Sequence, residues 1–208
     1  MRRNFRRSGV ATLCLALALS AFGCGQASNS NTTGVKPEAD AQAAIIETDF
    51  GRIVIELYPN VAPQMVARFK KLAGEGFYNG TAIHRIDPEL GIIQGGDPNS
   101  KDANPANDGM GSSDEPNLTA EFSDLPYERG TVGAARAQSN DSANCQFYIT
   151  LKRQPAFDEK YTVFGRVIEG INNADIISTA PIAAGTQDRP AEKILVKSIS
   201  LAPRTDFK

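Results

Sequence analysis

Apolar residues recur at every second position over residues 53–57, where Ile53, Ile55 and Leu57 alternate with Val54 and Glu56, and the series runs on to Tyr58. That is the period of a strand with one face on a core, and the run from Ala44 reads as a second strand joined to it at Asp49-Phe50-Gly51. The period then changes. Met65, Val66, Phe69, Leu72 and Ala73 fall at three-to-four spacing, which predicts a helix with Pro63 in its first turn and Gly74 and Gly76 at its end. Further short apolar runs predict strands at AIHRI, GIIQG, GTVGAAR, CQFYITL, YTVFGRVI and KILVKSISL, and NNADIISTA predicts a second short helix. Asp97 to Arg129 is rich in Asp, Asn, Gly, Ser and Pro, a long loop of the kind that often serves function. Many short strands and few helices point to a closed barrel or sandwich.

The start of the chain follows another pattern. Arg2, Arg3, Arg6 and Arg7 precede an apolar run, VATLCLALALSAF, over residues 10–22. A basic start, a short apolar stretch and a small-residue zone make a secretory signal, and the run is too short for a comfortable membrane span. AFGC at 21–24 resembles the acylation motif of bacterial lipoproteins, with Cys24 as the lipidated residue; ordinary cleavage near ALSA is the alternative. Residues 24–43 are small and polar and read as a tether. The expected organisation is a leader over 1–23, the tether over 24–43, a folded domain over 44–203 and a tail over 204–208. An exported protein held at the cell envelope or in the periplasm, anchored through Cys24, is the expected location.

Composition narrows the chemistry. The 208 residues carry a net charge of −2 and are 41% hydrophobic and 22% charged, the make-up of a globular chain with no electrostatic footprint for nucleic acid. Of three cysteines, only Cys145 lies in the expected domain, so no internal disulfide forms there. One histidine, His84, and one domain cysteine do not supply a usual zinc ligand set. There is no G-x-S-x-G turn around a nucleophilic serine and no phosphate-binding glycine loop. No metal and no cofactor is expected, and nothing calls for more than a monomer.

Three stretches carry a positive signal when read together: HRIDPELGIIQGGDP (84–98), GTVGAARAQSNDSANCQFYI (130–149) and AFDEKYTVFGRVIEG (156–170). In order and spacing they resemble the core of the cyclophilin family of peptidyl-prolyl isomerases, and the likeness extends over roughly residues 44–200. The resemblance implies a mainly β fold, a closed eight-stranded antiparallel β-barrel capped by two α-helices. It implies catalysis of rotation about X–Pro bonds in proline-containing polypeptides. It assigns Arg85 the catalytic role. It makes Ile92, Tyr148, Phe157 and Leu90 the walls of a proline pocket, and Gln94 and Gln146 a polar pair that orients Arg85 or meets substrate backbone. Ala135 and Arg136 match the segment that binds extended substrate, and Tyr161 stands where many relatives carry a histidine. His84 has no proton to move in this reaction and is expected to pack in the pocket with a local hydrogen bond.

The stretch departs from the family's usual form by one extra residue at DPELG, by Ile92 in place of a methionine, and by Ala156 where many members have tryptophan. Two other readings stand beside the isomerase: a non-catalytic peptide-binding or chaperone module of the same fold, and, far less favoured by these residues, a metal-dependent or hydrolytic enzyme.

Overall fold

The computed structural model describes residues 34–208. The leader and Cys24 lie outside the described residues. Nine strands are present among the described residues. β1 (Gln42–Thr48) and β2 (Gly51–Leu57) form the expected hairpin. The helix α1 (Pro63–Gly74) follows, then β3 (Thr81–Ile83), β4 (Arg85–Asp87), β5 (Ile92–Gly95), β6 (Thr131–Ala134), β7 (Phe147–Thr150) and β8 (Val163–Glu169). The helix α2 (Ile171–Ser178) and β9 (Ile194–Pro203) complete the chain.

The strands form one antiparallel sheet in the order β3-β9-β1-β2-β8-β6-β7-β5-β4. Its two ends are successive pieces of one stretch. The single strand expected at AIHRI breaks at His84: β3 pairs with β9, and β4 pairs with β5. The barrel therefore closes through the chain itself at His84, and the expected eight strands become nine because that residue lies on the seam. Register shifts in the β1–β9, β2–β8 and β6–β8 pairs give the local bends a closed sheet needs.

The core gathers Ile53, Ile55 and Leu57 from β2, Phe69 and Leu72 from α1, and Ala174 and Ile177 from α2. Both helices thus cover the barrel interior. Val54, on the other face of β2, and Tyr58, just beyond its end, are buried too, so that strand is covered on both sides rather than one. Ala62 places no side-chain cap on α1. The buried carboxylate of Glu121 does so instead, accepting from the backbone N–H groups of Gln64 at 2.8 Å and Met65 at 3.0 Å. A negative group at a helix N-terminus satisfies orphan donors and meets the favourable end of the dipole.

Two parts of the polar sequence are more ordered than their composition suggests. The stretch read as a tether is docked from Gly34: its N–H donates to Asp124 at 2.7 Å, Val35 packs on the barrel, and Lys70 holds Asp40 at 2.8 Å. β1 also takes up residues 42 and 43. The long 97–129 loop is pinned by side chains, among them Asn144, which accepts from Ser113 N and donates to Glu115 O.

Candidate functional site

Cross-strand register builds the site. Arg85 stands opposite Gln94, Gln94 opposite Tyr148, and Tyr148 opposite Gly133, a row across β4, β5, β7 and β6. One position along, Ile86, Ile93, Ile149 and Val132 make the parallel row. Those four aliphatic residues are at most 1% exposed and lie in the core. Since side chains alternate between faces, the Arg85 row must face outward. A row that carries Arg, Gln and Tyr on the outside of a barrel is a surface built for contact.

The row forms the floor of a cleft of about 540 Å³, lined by His84, Arg85, Leu90, Ile92, Gln94, Ala135, Arg136, Tyr148, Phe157 and Tyr161 among others. Ten of the eleven residues expected from the sequence meet there. The eleventh, Gln146, lines an adjoining groove of about 250 Å³ that shares Gln94, Ala135 and Arg136 with the cleft.

One wall of the cleft is apolar. Tyr148 meets Phe157 edge-on with ring centres 5.7 Å apart, and Phe157 lies 4.9 Å from Tyr161. Ile92 and Leu90 belong to the same cluster. Behind it stands Tyr127, fully buried, whose hydroxyl lies 3.0 Å from that of Tyr148. Burial pushes both phenols to higher pKa, so they stay neutral donors and acceptors. Gly133 is required beneath them: a Cβ there would fall 2.4 Å from Tyr148 Cζ and 2.7 Å from the Tyr127 hydroxyl. The guanidinium of Arg136 lies over the Tyr161 ring at 4.4 Å, a cation–π contact at the rim.

The other wall is polar. Arg85 donates from Nε to Asp188 at 2.8 Å, from Nη2 to Asp87 at 2.7 Å, and from Nη1 to Gln94 at 3.4 Å. Gln94 Nε2 donates to Gln146 Oε1 at 3.0 Å, and Gln146 Nε2 donates to the carbonyls of Gly109 and Gly111. This chain of hydrogen bonds ties Arg85 to the 97–111 loop. The DPELG stretch is the turn of the β4–β5 hairpin. Asp87 Oδ1 accepts from Leu90 N, and Gly91 adopts φ +61°, a left-handed conformation that glycine takes without strain.

His84 borders the cleft and is 7% exposed. Neither ring nitrogen makes a hydrogen bond of good geometry, although the neighbouring Ala82 backbone favours the charged ring. Its imidazole instead faces Gly109, where an added Cβ would sit 3.6 Å from the ring. Burial lowers its pKa, against the pull of Asp97 and Asp108, and keeps the ring neutral at pH 7. Cys145 is buried, and its thiol is pushed up to about 11, which leaves it inert as a nucleophile. Among the described residues no cluster of three or more His, Cys, Asp or Glu could hold a metal ion.

Several contributors lay outside the sequence reading, among them Asp87, Tyr127 and Asp188. Asp87 could have been found, because a strand puts residues two apart on one face. Tyr127 and Asp188 come from loops without a motif, and no local signal marks them.

A family model for cyclophilin type peptidyl-prolyl cis-trans isomerases matches residues 43–201. A "Probable peptidyl-prolyl cis-trans isomerase" of Brucella suis is 36% identical over 201 residues, 94% of this chain and 97% of that protein. A peptidyl-prolyl cis-trans isomerase of Schizosaccharomyces pombe is 35% identical over 163 residues, 75% of this chain and 97% of that one. A cyclophilin type isomerase of Cryptosporidium parvum, solved in the presence of the dipeptide Ala-Pro, aligns with a TM-score of 0.69 at 26% identity, covering 78% of this chain and 99% of that one.

Proposed function

The chain belongs to the cyclophilin-type peptidyl-prolyl cis-trans isomerases and is an enzyme of that class, and from that premise we propose that Arg85 is its catalytic group and the aromatic wall its proline pocket. Rotation about an X–Pro bond faces a barrier of about 18–20 kcal/mol, because the amide has partial double-bond character. In the twisted state resonance is lost, and the prolyl nitrogen gains a lone pair. No covalent step and no net proton transfer are needed. What lowers the barrier is a fixed donor that meets the lone pair only in that state. An acceleration of ~10⁵ requires about 7 kcal/mol of such stabilisation, shared between donor and pocket.

The observation that carries this reading is the Arg85–Gln94–Tyr148 row, which sets a braced guanidinium beside an aromatic pocket. Arginine suits the task because its charge is permanent and its planar fork can be held on one side while donating on another. In this reading Ile92, Tyr148, Phe157 and Leu90 hold the proline ring. Gln94 and Gln146 orient Arg85 and meet substrate backbone. Ala135 and Arg136 hold the extended chain upstream, while His84 and Tyr161 close the sides. The substrate is a proline-containing polypeptide, as the Ala-Pro dipeptide of the Cryptosporidium parvum structure suggests.

The test is exchange NMR on a short Ala-Pro peptide. The wild type accelerates cis/trans exchange, and Arg85→Ala loses roughly 10- to 100-fold, the scale of one charge-assisted hydrogen bond, with its fold intact. A wild-type rate equal to background sinks the reading.

The enzyme acts, in this proposal, as an exported monomer on envelope or secreted proteins, anchored through an acylated Cys24. The basic and apolar leader and the AFGC stretch support that. An intact mass of the membrane fraction showing an acyl-modified Cys24 is the expected result; an unmodified soluble protein cleaved before residue 24 would overturn the anchor.

A further inference from the structure

An arginine has five N–H donors, and Arg85 spends three of them inside the protein, leaving one on Nη1 and one on Nη2. The two short bonds go to carboxylates. Asp87 lies on the same strand and also fastens the following turn through Leu90 N. Asp188 is different: it arrives from 103 positions away, on the loop between α2 and β9, and lines the same cleft.

That loop is built to hold Asp188 still. Ala183 N donates to Arg189 O at 2.8 Å, and Ala191 N donates to Pro181 O at 2.7 Å, which ties its two arms together. Ile182 and Pro190 form an isolated bridge. Asp188 then grips β4 twice, its carbonyl accepting from Ile86 N at 2.6 Å and its carboxylate from Arg85 Nε. The backbone bond fixes the loop whatever the side chain is, so the carboxylate is free for another task.

We infer that Asp188 is the positioning residue of the active site, holding Arg85 by its Nε edge so that its remaining donors meet the twisted prolyl nitrogen. The inference rests on Arg85 as the catalytic group. The energetics separate this role from a structural one. The Arg85 and Asp188 side chains are 33% and 40% exposed, and an ion pair in such a place adds little to folding stability. A donor displaced by about 1 Å, in contrast, can lose two orders of magnitude in rate.

The experiment measures exchange NMR across a titration of Ala-Pro peptide, which separates the rate on the enzyme from affinity. Asp188→Ala is expected to lower the on-enzyme rate five- to tenfold, with affinity within twofold and an unchanged melting temperature. Asp188→Asn keeps an acceptor for Nε and recovers at least half the rate. The Arg85 Nε–H signal moves in Asp188→Ala to the position of a free arginine and stays in Asp188→Asn. In an Arg85→Lys background, Asp188→Ala costs nothing more. An Asp188→Ala rate within twofold of wild type or above it, a loss shared equally by affinity, or additive losses in the double variant would overturn the inference. If wild type catalyses and Arg85→Ala loses its 10- to 100-fold while Asp188→Ala is normal, only the Asp188 role falls; if Arg85→Ala is also normal, the proposed function falls first.

Discussion

Arg85 and Tyr148 belong to one cross-strand row, two strands apart, yet they are held by opposite means. Tyr148 is 3% exposed and is fixed by packing, among Phe157, Tyr161, Tyr127 and the bare backbone of Gly133. Arg85 is one-third exposed and is fixed by hydrogen bonds, to Asp87, Asp188 and Gln94. The apolar wall is continuous with the body of the protein. Its cluster also takes in Tyr127, Val163, Tyr58 and Val61, with the docked Val35 packed against it. The polar wall is a surface network. Substitutions in the first should appear chiefly in stability, and those in the second chiefly in turnover.

The strongest test of that division is Tyr148→Ala. Truncating a buried aromatic removes transfer energy and leaves a cavity, at a cost of about 3–5 kcal/mol. Denaturant unfolding should show that loss, along with weaker peptide binding, because Phe157 and Tyr161 lose the ring they lean on. Arg85→Ala, measured in the same way, should stay within about 1 kcal/mol of wild type, since its ion pairs are solvent-accessible. If the two variants lose similar stability, the walls are not built differently.

A smaller effect sharpens the comparison within the apolar wall. Tyr127→Phe keeps the ring and deletes only the hydroxyl that meets Tyr148. The buried Tyr148 hydroxyl then lacks its partner, which costs about 1–3 kcal/mol. On-enzyme exchange should remain within twofold, because the ring that lines the cleft has not moved. A large drop in rate with stability unchanged would show that the buried phenol pair steers the pocket rather than supporting it.

The same division explains what the sequence made legible. The β1–β2 hairpin and both helices follow from periodicity, and the remaining strands from short apolar runs, because burial selects for apolar residues in each. The residues of the apolar wall sit in those strands or in a quoted motif, and they meet in the cleft. The brace of Arg85 was hidden. Asp188 is one acidic residue in a loop, and only the tertiary fold brings its carboxylate to Nε. Glu121 escaped for the same reason, since it caps a helix that begins 58 positions earlier, at Pro63. The split of one expected strand at His84 escaped because ring closure is a property of the whole sheet. The docking of residues 34–41 escaped because its hydrogen bonds run to Asp124 and Asn60, distant in sequence.

His84 stands between the two walls and belongs to neither. It is buried like the aromatics, but its ring nitrogens are unpaired and its neighbours Asp97, Asp108 and Arg85 are charged. Burial holds its folded pKa below the ordinary value of 6.5. As pH falls through that value, the unfolded chain takes up a proton that the folded protein resists, so the unfolded state binds more protons and stability must decline. Asp97 and Asp108 oppose the shift, which makes this the smallest of the three effects. His84→Gln removes the titration and keeps a polar side chain of similar reach. Between pH 7 and pH 5, wild type should lose more stability than the variant, so that their denaturant midpoints converge or cross on acidification. The carboxylates common to both proteins cancel in that difference. Parallel pH profiles would mean that the imidazole is solvated in solution and that the seam of the barrel at His84 opens to water.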